Sequence, residues 1–298
     1  MQPNRLTGAL YIAISATAFG AMAIFARHAY AGGADVTAVL FLRFLIAGVA
    51  MACVMAASRR RWPRGRNLAV LVGMGGIGYV AQSYCFFAAL NYASAGLVAL
   101  LLYLHPFMVT LIGSALFGHR LGALRVGAVL AALLGTALTI GGDVSGQPLG
   151  ILLGFAAAVL YSIYILVGSR VLGQEDPFAA ATIVMLAAGA SFGAIVLTAG
   201  ARFPATGPAW LAIVLIALLC SVAGIVCFFA GMQRLGPADA ATLSTLEPVV
   251  TIVLAALFLG DAIEPVQLLG GAVILCAVVV LARARGGAAV GMKRPAAG

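Results

Sequence analysis

Charge is what this sequence has least of. Only 8% of its 298 residues are Asp, Glu, Lys or Arg, and 64% are hydrophobic. A soluble domain carries about 25% charged residues. Mean hydropathy is +1.14. There is too little polar side chain to cover a water-facing surface, which excludes a soluble enzyme or binding domain and leaves an integral membrane protein. Acidic residues are the scarcest, 8 against 17 basic ones, for a net charge of +9. In a soluble protein that excess would suggest nucleic acid. Here the charges fall between apolar runs, so they set orientation and no nucleic-acid partner is expected. The five cysteines, Cys53, Cys85, Cys220, Cys227 and Cys276, lie inside apolar segments and show no CxxC or Cys/His spacing. They read as buried small hydrophobes, with no disulfide and no metal site. HExxH, GxSxG and clustered Asp/His sites are missing too. The run GMGGIG (73–78) follows no strand and is no nucleotide loop. No catalysis, no cofactor and no direct use of ATP is expected.

What the chain does have is apolar runs. A membrane-crossing helix needs about 20 mostly apolar residues. Ten segments qualify: Leu6–Tyr30, Asp35–Ala57, Asn67–Leu90, Ser94–Phe117, Leu121–Gly141, Pro148–Arg170, Pro177–Gly200, Pro208–Met232, Ala238–Leu259 and Pro265–Arg283. The first is too long and too weakly flanked for a cleaved signal peptide, so it is read as a retained span. Gly, Pro, Asp and Asn punctuate the short connections. Residues 286–298 read as a disordered, cytoplasmic tail. With the N-terminus in the cytoplasm, fourteen Lys and Arg fall inside, only Arg27 and Arg202 outside, and Arg43 within the second span. Both termini are therefore expected in the cytoplasm, with the RRRWPRGR run as a topology anchor.

Two stretches in those runs stand apart. LLYLHPFMV (Leu101–Val109) places His105 before Pro106, and TLSTLEPVV (Thr242–Val250) places Glu247 before Pro248. The two prolines are 142 positions apart, and Gly8 and Gly150, Ala99 and Ala241, Leu104 and Leu246, and Gly118 and Gly260 match at the same offset. Five spans repeat as five. An odd number of crossings makes the second copy enter from the opposite side. The expected fold is thus an all-α membrane protein of ten helices, built as two inverted five-helix repeats (1–142 and 143–285). Such architectures place the substrate site near the midplane, between the repeats.

A titratable group at membrane depth is costly and normally faces protein or a water-filled cavity. Glu247 reads as a proton or cation site with His105 as its partner, or else the two form a buried pair that locks packing. Each proline frees a backbone carbonyl, that of Leu102 for Pro106 and that of Ser244 for Pro248. Pro106 and Pro248 are candidate hinges, with static kinks as the alternative. Arg43, roughly 12 Å along its helix from Asp35, either binds a substrate carboxylate, or ties helices together through backbone carbonyls or snorkels outward. Polar and aromatic side chains recur at i, i+3, i+4 spacing. They include Tyr79, Gln82, Ser83 and Phe86 in the third span, Tyr103 in the fourth, and Tyr161 and Tyr164 in the sixth. Ser221, Gly224 and Phe228 in the eighth span and Ser244, Glu247 and Thr251 in the ninth continue the pattern. Such faces suit a moderately polar cavity that stacks an aromatic or apolar side chain. Tyr11, Tyr30, Tyr92 and Trp210 sit near span ends and read as interfacial anchors.

The five-plus-five spans, the FLRF stretch (Phe41–Phe44), the proline-centred fourth and ninth spans, and the Gly-polar steps Gly118-His119 and Gly260-Asp261 together resemble the drug/metabolite transporter superfamily, EamA type. Within it the chain is most similar to the YddG-like aromatic amino acid exporters. Members commonly carry Glu where His119 and Asp261 stand, so a role for that Glu does not carry over. The resemblance implies export of amino acids or related metabolites by alternating access, from a bacterial inner membrane. The small-molecule substrate and the lipid bilayer are the expected partners, and ten complete spans suggest a functional monomer. The competing reading is a proton-coupled exporter of drugs or other cations that uses Glu247. A membrane enzyme or a channel fits less well, since neither a catalytic motif nor a ring of repeated polar residues is present.

Overall fold

Helices account for nearly all of the chain that the computed structural model describes, residues 3–117, 122–140, 145–260 and 262–283. They are α1 (Pro3–Ala31), α2 (Val36–Ala57), α3 (Gly65–Gly73), α4 (Val80–Ala89), α5 (Ala95–Leu102), α6 (His105–Phe117) and α7 (Ala123–Ile140) in the first half. In the second half they are α8 (Pro148–Val171), α9 (Pro177–Ala199), α10 (Gly207–Leu215), α11 (Gly224–Leu235), α12 (Pro237–Leu243), α13 (Leu246–Leu259) and α14 (Pro265–Arg283). Among the described residues, nine helical runs are long and apolar enough to cross a membrane, and the apolar helix over Val126–Ile140 is a shorter tenth. The third and eighth spans are continuous through π-helical turns, Met74–Tyr79 between α3 and α4 and Ile216–Ala223 between α10 and α11. These turns begin 142 residues apart. Only the first is glycine-rich, so glycine is not their common cause. The fourth and ninth spans break instead, at Tyr103-Leu104 and at Ser244-Thr245, each just before its proline.

Local chemistry explains the boundaries. Asp35 accepts the Ala38 amide at 2.8 Å and Asp176 accepts that of Ala179 at 3.0 Å, side-chain caps that start α2 and α9. Proline at the first or second position starts α8, α9, α10 and α12, where its missing N–H costs nothing. Gly200, Gly236 and Gly260 follow helix ends at positive φ.

The surface is inverted relative to a soluble protein. Leu197, Ile77, Leu257 and Phe258 are each more than 70% exposed, as a lipid-facing belt requires. Buried hydroxyls turn back on their own helices. Thr110, Thr136, Thr139, Ser162 and Thr182 each donate to the carbonyl four residues earlier, so these hydroxyls are satisfied within their own helices. Of the cysteines only Cys220 is fully buried, and Cys53 and Cys276 are exposed on this apolar belt. The expectation of five buried thiols therefore fails for those two, because an apolar span has an outer face as well as an inner one.

Packing follows one pattern with the halves exchanged. α7 lies along α14 and α2 along α9, each a span against its counterpart. α1 packs on the eighth and ninth spans, and α8 packs on the third and fourth. Close approach needs glycine at specific places. A Cβ on Gly75 would collide with the Val184 backbone, and one on Gly270 with Gly135 and Thr139. The loops pair by the same rule. Asp35, before α2, accepts the amide of Arg202, before α10, at 2.7 Å. Asp176, before α9, meets the Arg60 guanidinium, before α3, at 3.2 Å. Arg202 stands 142 positions after Arg60. Arg5 in α1 bonds Asp239 of α12 at 3.0 Å and the Leu281 carbonyl of α14 at 3.3 Å. The first and last described helices therefore meet at one end of the bundle.

Candidate functional site

One cavity of about 460 Å³ occupies the middle of the bundle, walled by the first, second, third, fourth, sixth, eighth and ninth spans. In α1 its lining runs from Phe19 to Tyr30, and in the third span from Tyr79 to Phe87. Both belong to the halves remote from the Arg5–Asp239 end. Arg43, Tyr79, Gln82, Ser83, Tyr103, His105, Tyr161, Tyr164, Phe228, Ser244 and Glu247 all line it. Of the substrate-binding candidates read from sequence, Ser221 alone does not. It is fully buried behind Arg43: its Oγ accepts from Nε at 3.1 Å and donates to the Ile216 carbonyl at 3.1 Å, inside the π turn.

Arg43 is 4% exposed and does not reach out to the interface. Nε is held by Ser221 of the eighth span and Nη1 lies 3.0 Å from Met22 Sδ of the first. The guanidinium sits 4.5 Å over the Phe44 ring. It ties three spans together through side chains rather than backbone carbonyls; it also lines the cavity, and its Nη2 is buried without a hydrogen-bond partner.

The two proline breaks resolve differently. His105 Nδ1 lies 3.1 Å from the Leu102 carbonyl, the group that Pro106 leaves without an amide. The Ser244 carbonyl, freed by Pro248, accepts the Glu247 backbone N–H at 3.0 Å. Neither carbonyl is left open to a ligand. Neither proline lines the cavity. Their part as hinges is an expectation carried into the proposals below.

Glu247 and His105 do not pair with each other. The Tyr103 hydroxyl donates to the Glu247 carboxylate. The expected carboxylate–imidazole pair does not form because His105 Nδ1 faces the Leu102 carbonyl of its own span and Nε2 meets no partner. From Tyr103 a chain of ring contacts follows. His105 lies 6.1 Å from Tyr103 and 4.8 Å from Tyr161. Tyr161 stacks on Tyr164 at 6.1 Å, Tyr164 meets Tyr79 at 6.3 Å, and Tyr79 meets Phe44 at 4.8 Å. A carboxylate therefore stands at one end of an aromatic run and a guanidinium at the other.

The first span's share of the wall was not read from sequence. Phe19, Met22, Ala23, Ala26 and Tyr30 fall on one helical face, but all except Tyr30 are apolar, like any lipid-facing stripe. Tyr30, expected as an interfacial anchor, lines the cavity. Tyr92 and Trp210 are 40% and 42% exposed near helix ends, in line with anchoring. His119, Asp261 and residues 286–298 lie outside the described residues. Among the described residues, no group of three His, Cys, Asp or Glu side chains stands where it could hold a metal ion.

A family model, the EamA-like transporter family, matches the chain twice, over residues 6–141 and 148–283. The chain belongs to the EamA-like transporter family. It is a multi-pass membrane transporter of small molecules, and not an enzyme. Similar EamA-like chains include an uncharacterized transporter YcbK of Bacillus subtilis, 26% identical over 88% of each chain. A probable terminal-alkyne amino-acid exporter of Streptantibioticus cattleyicolor is 26% identical, over 84% of this chain and 85% of that one. The uncharacterized inner membrane transporter YedA of Escherichia coli K12 is 27% identical, over 80% and 79%. A solved crystal structure superposes with a TM-score of 0.78 over 92% of this chain and 96% of the other, at 22% identity, a likeness of fold.

Proposed function

We propose that this chain is a secondary exporter of amino acids with aromatic or apolar side chains, working by alternating access. One observation carries the reading. Arg43 and Glu247 line one cavity, and a run of rings from Tyr103 through His105, Tyr161 and Tyr164 to Tyr79 lines it as well. A zwitterion matches that layout. Its carboxylate takes the unpartnered guanidinium N–H, its ammonium takes the carboxylate, and its side chain lies on the rings. Roughly 460 Å³ is within the range of small-ligand sites. The terminal-alkyne amino-acid exporter among the relatives and the likeness to YddG-like exporters point the same way.

The architecture proposed for this function is two inverted five-helix repeats, 1–142 and 143–285, in a bacterial inner membrane, with both termini cytoplasmic and the monomer as the working unit. The double family match, the exchanged packing and the paired loop contacts support it. The basic residues, concentrated on the side of the termini, support the orientation. On this reading the cavity faces outward, and Pro106 and Pro248 are the points about which the repeats rock.

A second reading rests on Glu247. It is the only carboxylate on the cavity wall among the described residues, which suits a proton-coupled exporter of cationic drugs. Counterflow in proteoliposomes, with a panel of amino acids and lipophilic cations at two pH values, separates the two. Exchange of phenylalanine and leucine without cations is expected. Exchange of cations with every amino acid silent would overturn the amino acid reading.

A further inference from the structure

His105 does two things at once, and only one of them is structural. Its ring is 3% exposed. Nδ1 faces the Leu102 carbonyl at 3.1 Å. A carbonyl only accepts, so Nδ1 must carry the proton and stand in for the amide that Pro106 lacks. In the neutral ring this fixes Nε2 as a bare lone pair. Nε2 is buried and has no partner in the protein. A buried acceptor left unmade is costly, and His105 belongs to the cavity wall, so this nitrogen marks a place for a donor. The neighbours do not supply one: the Tyr103 hydroxyl is spent on Glu247, and Tyr161 meets the imidazole edge to face with ring centroids 4.8 Å apart.

We propose that His105 Nε2 accepts an N–H from the transported molecule, and so selects substrates that carry a primary ammonium group. This rests on the reading of the cavity as the transport site. Tyr103 lies between the two acceptors, in ring contact with His105 and hydrogen-bonded to Glu247. An ammonium has three donors to place, and Glu247 is the only carboxylate on the wall among the described residues, so a second acceptor is needed to orient it. Glu247 supplies charge and His105 supplies direction. A carboxylic acid without an amine, or a quaternary ammonium without N–H, leaves the Nε2 lone pair unmet.

Titration calorimetry of the purified full chain in nanodiscs tests this with four probes: L-phenylalanine, 3-phenylpropionate, phenethylamine and trimethylphenethylammonium. His105→Asn keeps a donor for the Leu102 carbonyl and removes the distal acceptor. It should unfold at the wild-type temperature, lose about tenfold in phenylalanine affinity, and leave 3-phenylpropionate unchanged. His105→Gln places an oxygen near the Nε2 position and should recover part of that loss. An unchanged ratio of phenylalanine to 3-phenylpropionate in a folded His105→Asn protein overturns the proposal. Wild type gives an arm that needs no variant: phenethylamine must bind more tightly than its trimethyl analogue, and equal affinity overturns the proposal. Binding of phenethylamine without phenylalanine would sink the amino acid reading while leaving His105 to be judged on the amine pair. Wild type that binds none of the four overturns both.

Discussion

The fourth and ninth spans carry the same break and mend it by different means. In the fourth, the orphaned Leu102 carbonyl is met by a side chain, His105 Nδ1. In the ninth, the Ser244 carbonyl is met by the backbone N–H of Glu247. The His105 side chain is thereby bound to its own helix, with one nitrogen left over. The Glu247 side chain owes nothing to its helix and is held from across the cavity by Tyr103. Equivalent prolines thus produce one ring of fixed orientation and one carboxylate tied, among the described residues, by a tyrosine. The shared residue builds the architecture, and the differing residues are where specificity is expected to reside.

The contrast can be broken by substitution, starting where most is at stake. Glu247→Gln should lower transport by about a hundredfold to a few thousandfold, since losing one partner of a buried charge pair costs about 3–5 kcal/mol. Its thermal unfolding should stay near wild type because no backbone group depends on it. Counterflow beside an unfolding curve reads both. His105→Leu should do the reverse in stability. It strands the Leu102 carbonyl and should cost about 1–3 kcal/mol, seen as a lower unfolding temperature in detergent. A larger loss of stability in the Glu247→Gln protein than in His105→Leu would dissolve the distinction. Pro106→Ala and Pro248→Ala should be mildest, each changing stability by less than about 1 kcal/mol, because both freed carbonyls already have partners. If the prolines are hinges, counterflow rates should nevertheless fall in both alanine variants.

Much of the fold was legible because the signals are local. Runs of apolar residues near bilayer length named the spans, and Asp35, Asp176, Pro148, Pro177, Pro265 and Gly200 marked their ends where helices do begin and stop. The π turns were not legible. MGGIGY and IALLCSVA have only isoleucine in common, and a π turn reflects an inserted residue accommodated by neighbours rather than a propensity. Of the site, the polar and aromatic members were found because they are out of place in apolar helices. Phe19, Met22 and Ala26 were missed because a cavity wall and a lipid face look alike in one dimension. Ser221 was placed on the wall because its helix face is right, yet Arg43 lies between it and the space.

The stretch around His105 and Pro106 shows where the division falls. Sequence alone determined that a proline there must orphan the Leu102 carbonyl, that a polar ring beside it would need a reason, and that the same design recurs at Glu247. These follow from covalent geometry and from the cost of polar groups in an apolar medium. Which atom answers which need was decided only by the tertiary structure. Tyr103 rather than His105 meets Glu247, Ser221 holds Arg43 from behind, and His105 spends Nδ1 on its own helix and keeps Nε2 buried without a partner. Partners are chosen by distance and direction across spans that lie far apart along the chain.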